Sequence, residues 1–200
     1  MSAWTTTPTL SGRHVTLRPL LTEDSDALVA AIADDLADQF YTFVPNADTI
    51  QGWMTKLIGE REAGRAMPFA VVDAEGAIAG TTRFMRMSEA HRRVEIGGTL
   101  YSRRVQRTGL NSEAKRLLLS HAFEALGCSC VQLRTDWLNQ RSRRAIERLG
   151  AKLDGVLRNH MVMPDGHLRD TVVYSITATE WPGVRANLDY LLARHEGATA

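Results

Sequence analysis

The sequence predicts an α/β domain built on a mixed sheet, and three observations carry that reading. Strand-like runs at Pro68–Asp73 and Ile78–Arg86 flank the turn Ala74-Glu75-Gly76, the pattern of an antiparallel hairpin. A second hairpin is written in Val156–Met163, the turn Pro164-Asp165-Gly166 and Leu168–Ile176. Between them, a strand ending at Tyr101, an apolar helix and the strand Val131–Thr135 form a βαβ unit, whose right-handed crossover makes its two strands parallel.

In chain order, residues 1–9 read as a loose tail, and His14–Arg18 alternates as a strand. Thr22 is placed to cap a first helix that carries Leu28, Ala31 and Ile32 out to about Leu36. A second helix opens near Asp48, with Ile50, Trp53, Met54, Leu57 and Ile58 on one face. The aromatic run Phe40–Pro45 between them reads either as a plug over the core or as a wall of a pocket. After the first hairpin a strand spans about Arg92–Tyr101, and its pair Gly97-Gly98 suggests a bulge or a close backbone approach. The helix from about Leu110 to Leu126 is apolar on more than one side and is expected to be sandwiched. Asn139 caps a short helix ending at Gly150, and the last helix runs over about 180–195.

Two hundred residues, 44% hydrophobic and 24% charged, suit one domain with a proper core, here 1–200. A net charge of +1 argues against a nucleic-acid or other polyanion binder. The start lacks a charged, apolar leader and there is no run of eighteen apolar residues, so the expectation is a cytoplasmic protein without a membrane partner. Cys128 and Cys130 read as buried thiols, and the histidines have no ligand spacing, so no metal is expected.

The chemistry centres on Arg103–Glu113. This stretch follows a strand and opens a helix, so its N–H groups form an anion site flanked by Arg103, Arg104 and Arg107, with Gly109 allowing a tight turn. Gln106, Gly109 and Asn111 follow the pattern [QR]-x-x-G-x-[GA] with asparagine in the last place, and Asn139 with Ser142 follows N-x-x-[SA]. With these motifs the chain resembles the GNAT superfamily of N-acetyltransferases, in its RimJ/RimL branch, from about Leu10 to Trp181. The resemblance implies a GNAT fold: a mostly antiparallel seven-stranded sheet with a splayed parallel pair at its centre and helices on both faces. It implies acetyl-CoA as co-substrate and direct acetyl transfer to an amine, most simply a protein N-terminal α-amine. A small amine such as an antibiotic, amino acid or polyamine is the alternative, and a CoA-binding module without catalysis is the rival from another class.

On that basis residues 107–112 (Arg107, Thr108, Gly109, Leu110, Asn111, Ser112), together with Gln106, hold the pyrophosphate. Arg103, Arg104, Arg143 or Arg144 meets the 3′-phosphate. Thr99, Leu100 and Tyr101 pair with the pantetheine arm, as does Asn139. Glu95 is the candidate base, its alternative an exposed strand glutamate paired with Arg93 or Arg83. Ser142 is the candidate proton donor to the leaving thiolate, its alternative a helix-cap partner; the position one turn on, where many relatives use tyrosine, is Ile146. Arg158, His160, Arg169 and Asp170 form either a polar network at the acceptor side or a cross-strand salt bridge, and the latter is preferred. Trp137 packs either on the pantetheine or on the core edge. Asp34, Asp35 and Asp38 would suit a polycationic acceptor, and exposed apolar positions on the last hairpin or helix would suit a homodimer.

Overall fold

Leu10–Ser11 (β1), a strand not expected from the sequence, pairs antiparallel with Val15–Pro19 (β2), placing Leu10 opposite Leu17 and completing an eight-stranded sheet rather than seven. The structure is a computed structural model and describes residues 2–36 and 39–197. The strands β3 (Met67–Asp73), β4 (Ile78–Ser88), β5 (Arg93–Tyr101), β6 (Cys130–Asp136), β7 (Lys152–Val162) and β8 (Leu168–Thr177) complete the order β1-β2-β3-β4-β5-β6-β8-β7. Every pairing is antiparallel except β5 with β6, as the βαβ reading required.

Helices cover both faces. Ser25–Leu36 (α1) and Ile50–Glu62 (α2) bury Leu28, Ile32, Met54 and Leu57 against Ala70 and Leu100 on one side. Leu110–Ser120 (α3), Gln140–Arg148 (α4) and Trp181–Gly197 (α5) share the other side, where Leu118, Leu119, Ile146 and Leu188 meet Phe69, Phe84, Val131 and Ile176. α3 runs on into a π-helical turn at His121–Ala125 and is indeed sandwiched between sheet and α5, with Arg116 Nε 2.7 Å from Asp189 Oδ1. Trp4 is buried in the same core, which ties down the start of the chain.

Two helix starts differ from expectation because other side chains take the capping role. Thr22 lies in a 3₁₀ turn, and the Asp24 carboxylate accepts from Leu21 N at 2.9 Å while Arg18 pairs with it at 2.6 Å. For α2 the side chain of Asn46 accepts from the amides of Asp48 and Thr49, both at 3.1 Å.

The centre of the sheet positions the site. β5 and β6 pair only from Arg93/Cys130 to Ile96/Leu133. Beyond that point β5 continues on β4 and β6 on β8, so each leaves one ladder edge facing the other across a gap. The predicted bulge lies at the parting: Gly98 and Thr99 oppose the single residue Thr82, with Gly98 at φ +55. The extra residue shifts the strand's alternation. Val94 and Ile96 face α3, Leu100 faces α1 and α2, and Tyr101 returns to the α3 side.

Candidate active site

On the α3 side, β5 passes through a 3₁₀ turn at Arg103–Val105 into a loop ending at Gly109, the N-cap of α3. Gln106 Nε2 donates to Tyr101 O at 3.0 Å and its Oε1 accepts from Arg141 of α4, which ties the loop to both neighbours. Thr108 Oγ1 donates to Val105 O at 2.7 Å and accepts from Leu110 N at 3.2 Å. Arg107, at φ +65, is the left-handed residue of the turn; Gly109 has ordinary helical angles. Space, rather than angle, calls for glycine here, since a Cβ would stand 3.2 Å from His14 Cδ2.

Between this loop and α4 lies a groove of about 570 Å³ lined by Arg103, Gln106, Arg107, Arg141, Arg144, Ala145 and Arg148. Five guanidiniums give the groove the charge of a phosphate site, and of residues 107–112 only Arg107 lines it, Leu110 and Ser112 being buried. Of the cations expected from sequence, Arg103 and Arg144 line it, whereas Arg104 pairs with Asp73 and Arg143 stacks 4.3 Å from the Trp137 ring. Arg141 and Arg148 were not singled out by sequence; the spacing 141, 144, 148 on one helix face was the signal that could have found them.

Asn139 and Ser142 meet as a cap: Asn139 Oδ1 accepts from Ser142 N at 2.9 Å. The cap uses the backbone of Ser142 and not its hydroxyl. Ile146 is buried in the core at the place where a tyrosine was sought. Facing the same side of β5, Lys115 is buried and donates from Nζ to Thr99 Oγ1 at 2.9 Å, which in turn lies 2.8 Å from Thr82 Oγ1. With no carboxylate among its contacts, desolvation brings its ammonium down to about 7.

On the opposite face stands Glu95, 5% exposed, so it is not an exposed strand glutamate. Neither expected partner holds it: Arg93 instead reaches Gln132 Oε1 at 2.6 Å. Its Oε2 lies 3.0 Å from Arg86 Nε and 3.1 Å from Arg134 Nε, held by charge without the alignment of a hydrogen bond. Its Oε1 lies over Gly97, 3.3 Å from where a Cβ would be, beside the parting of the strands. Burial raises the carboxyl above the usual range, and Arg86, Arg134, Arg83 and Arg169 pull against that rise.

The last hairpin serves two roles. Arg158 and Asp170 form the cross-strand bridge at 2.6 Å, while Arg169 turns toward Glu95 and Asp136 and donates to Tyr41 O at 3.5 Å. Phe40 and Phe43 are exposed while Val44 packs against the core under α1 and α2, so the loop covers the core at one end and borders this face through Tyr41 O at the other. Asp34, Asp35 and Asp38 lie outside the residues whose side chains are described. Cys128 is buried with its thiol pushed up to about 12, and Cys130 is half-buried. Among the described residues no group of three or more His, Cys, Asp or Glu is placed to hold a metal, and no helix is long and apolar enough to cross a membrane.

A sheet parted at its centre, with a cationic groove at a helix start on one face and a buried carboxylate on the other, defines the class of the GNAT acyltransferases. The chain belongs to that family: the Acetyltransferase (GNAT) domain profile matches residues 14–152. It is 28% identical over 174 residues to the uncharacterized N-acetyltransferase YoaA of Bacillus subtilis (strain 168), covering 84% of this chain and 96% of that protein. It is 24% identical to YdaF of the same organism, provisionally named a ribosomal N-acetyltransferase, over 85% of this chain and 94% of that one. A GCN5-related N-acetyltransferase from Brucella melitensis superposes with a TM-score of 0.83 at 29% identity, over 94% of this chain and 86% of that one. Mycobacterium smegmatis RimJ in complex with CoA-disulfide shares the fold, with a TM-score of 0.78 at 22% identity over 96% and 97% of the two chains. The protein is therefore an acyltransferase of the GNAT type, a family that uses acetyl-CoA.

Proposed function

We infer that the protein transfers acetyl from acetyl-CoA directly to the N-terminal α-amine of another protein, in the cytoplasm. The observation that carries this reading is the parting of β5 from β6 next to Glu95, with the arginine-lined groove at the end of β5 on the other face of the sheet. Gln106, Arg107 and the amides of 108–112 hold the pyrophosphate, Arg144 with Arg103 takes the 3′-phosphate, and the unpaired edge of Thr99–Tyr101 hydrogen-bonds the pantetheine.

Glu95 removes the proton that the incoming ammonium must lose, aided by a raised carboxyl. An α-amine, at about 7.7 to 8.0, asks less of this base than a lysine at about 10.4. The amine then attacks the acetyl carbonyl, the carbon–sulfur bond breaks as the nitrogen gives up its second proton to solvent, and the Ser142 hydroxyl on the first turn of α4 passes a proton to the thiolate and regains one from solvent. Similarity to YdaF supports a ribosomal-type acceptor. The exposed Leu153, Leu157, Met161 and Val162 of edge strand β7 are the face a homodimer would bury.

The test is thiol release from acetyl-CoA with N-terminal peptides and, in parallel, small amines. Release with peptides alone supports the reading. Release with small amines alone moves the acceptor to a metabolite or drug, and CoA binding without any release overturns the reading.

A further inference from the structure

Among the described residues, the face that Glu95 occupies carries more positive than negative charge, and one of its guanidiniums has no hydrogen-bond or ion-pair partner. Arg83 and Arg86 reach it from β4, Arg134 from β6 and Arg169 from β8, and all four act on Glu95. Among the described residues the carboxylates there are Glu95 and Asp136, the latter 3.7 Å from Arg169 Nε, and Glu60 of α2, which acts on Arg83 more than Glu95 does. His160 of β7, with Nδ1 3.0 Å from Thr171 Oγ1, faces the same arginines and is kept neutral by burial and by them.

Arg86 and Arg134 are taken up by Glu95, and Arg169 is shared between Asp136 and the aromatic loop. Arg83 forms no hydrogen bond or ion pair among the described residues, and its Nε is buried without an acceptor. It lies across the bulge: a Cβ on Gly98 would stand 2.8 Å from Arg83 Nε and 3.2 Å from Cζ. A desolvated guanidinium that no carboxylate of the described residues contacts is costly, so its place at the parting of the strands suits a ligand that brings one. The same charges lower the pKa of an ammonium bound beside them and repel a polycation.

We propose that the acceptor is an acidic amine, with a carboxylate close to its nitrogen, and that Arg83 pairs with that carboxylate while the amine lies against Glu95. The inference rests on acetyl transfer taking place at the β5–β6 gap. The carboxylate can belong to an acidic residue next to a protein N-terminus or to a free amino acid, and Arg83 recognises either by the same bidentate chemistry.

The experiment measures thiol release at saturating acetyl-CoA with peptides differing only in Glu, Gln or Lys at the second residue, and with free glutamate against glutaminamide. Wild type, Arg83→Met and Arg83→Lys are compared. The expected result is a kcat/KM about tenfold or more higher for the acidic member, the size of one charge-assisted contact. Arg83→Met flattens that ratio, Arg83→Lys keeps part of it, and KM for acetyl-CoA is unchanged in both. Preference confined to peptides assigns the carboxylate to a protein N-terminus, and preference confined to glutamate assigns it to a free amino acid. Equal rates across the series, or a preference that survives Arg83→Met, overturns the proposal. If nothing turns over, the transfer reading fails separately. Calorimetry of the Glu peptide and of glutamate on the CoA-bound protein then decides: binding lost in Arg83→Met supports the proposal, and no binding in wild type overturns it.

Discussion

Arg134 Nε stands 3.1 Å from Glu95 Oε2, tying the residue of β6 just past the last backbone pair, Ile96 with Leu133, to the residue of β5 just before it. The ion pair spans the point where the strands part, and it sets both the position of the carboxylate and its charge. A carboxylate held this way is fixed in place, and the rise in its pKa comes from burial that the arginines only partly offset.

Replacing Glu95 with Gln should lower kcat about 10²-fold, the usual contribution of a positioned base, with acetyl-CoA affinity unchanged. The base works ionised, so in wild type the rate falls as pH drops through a carboxyl pKa above the ordinary glutamate range. Glu95→Gln should lose that acidic limb. A pH–rate profile with the same limb in both proteins removes Glu95 from the proton path.

The cationic groove predicts a difference between ligands. Arg144→Gln should weaken CoA binding by about tenfold and leave dephospho-CoA, which lacks the 3′-phosphate, nearly unaffected. Calorimetry with both ligands checks this. Equal losses would place Arg144 elsewhere on the cofactor.

The cap geometry separates two roles that sequence left entangled. Asn139→Ala removes the acceptor for Ser142 N and should cost about 1 kcal/mol in a denaturant titration. Ser142→Ala keeps that bond, so it should leave stability nearly unchanged and lower turnover. Unchanged turnover for Ser142→Ala would mean that the thiolate takes its proton from elsewhere.

Lys115 predicts a pH-dependent stability. Its ammonium titrates at about 7 in the fold, against 10.5 ordinarily, so between those values the unfolded chain binds the extra proton. Stability should therefore rise with pH from 7 toward 10, by at most about 1.4 kcal/mol per pH unit from this group. Below 7 the lysine is charged in both states and the slope vanishes. Lys115→Met should flatten the wild-type slope when the two proteins are compared across that range.

How far the sequence could be read follows from the range of each interaction. The two hairpins, the βαβ crossover, the Gly97-Gly98 bulge and the cap at Asn139 are set by neighbours a few residues apart, and all were legible. β1 was missed because two residues carry no period and form a strand only against Leu17 and Thr16. Thr22 lost its expected cap to Asp24 because Arg18, six residues away, fixes that carboxylate. The tight turn was expected at Gly109, whose angles are helical, and its left-handed residue is Arg107, where the loop is held by Gln106 reaching Tyr101 and Arg141.

The sequence alone determined the order of all strands and helices but β1, the parallel pair and the turn that opens α3, because alternation, helical spacing and turn residues act locally. Tertiary structure alone decided which charges meet. Arg86, Arg134 and Arg169 converge on Glu95 from three strands, Arg141 and Arg148 join the groove from α4, and Arg83 is left at the bulge with its Nε unpaired among the described residues. A Coulombic contact depends on distance through space, and the sheet order β4-β5-β6-β8 brings together residues that lie up to 86 positions apart, as Arg83 and Arg169 do.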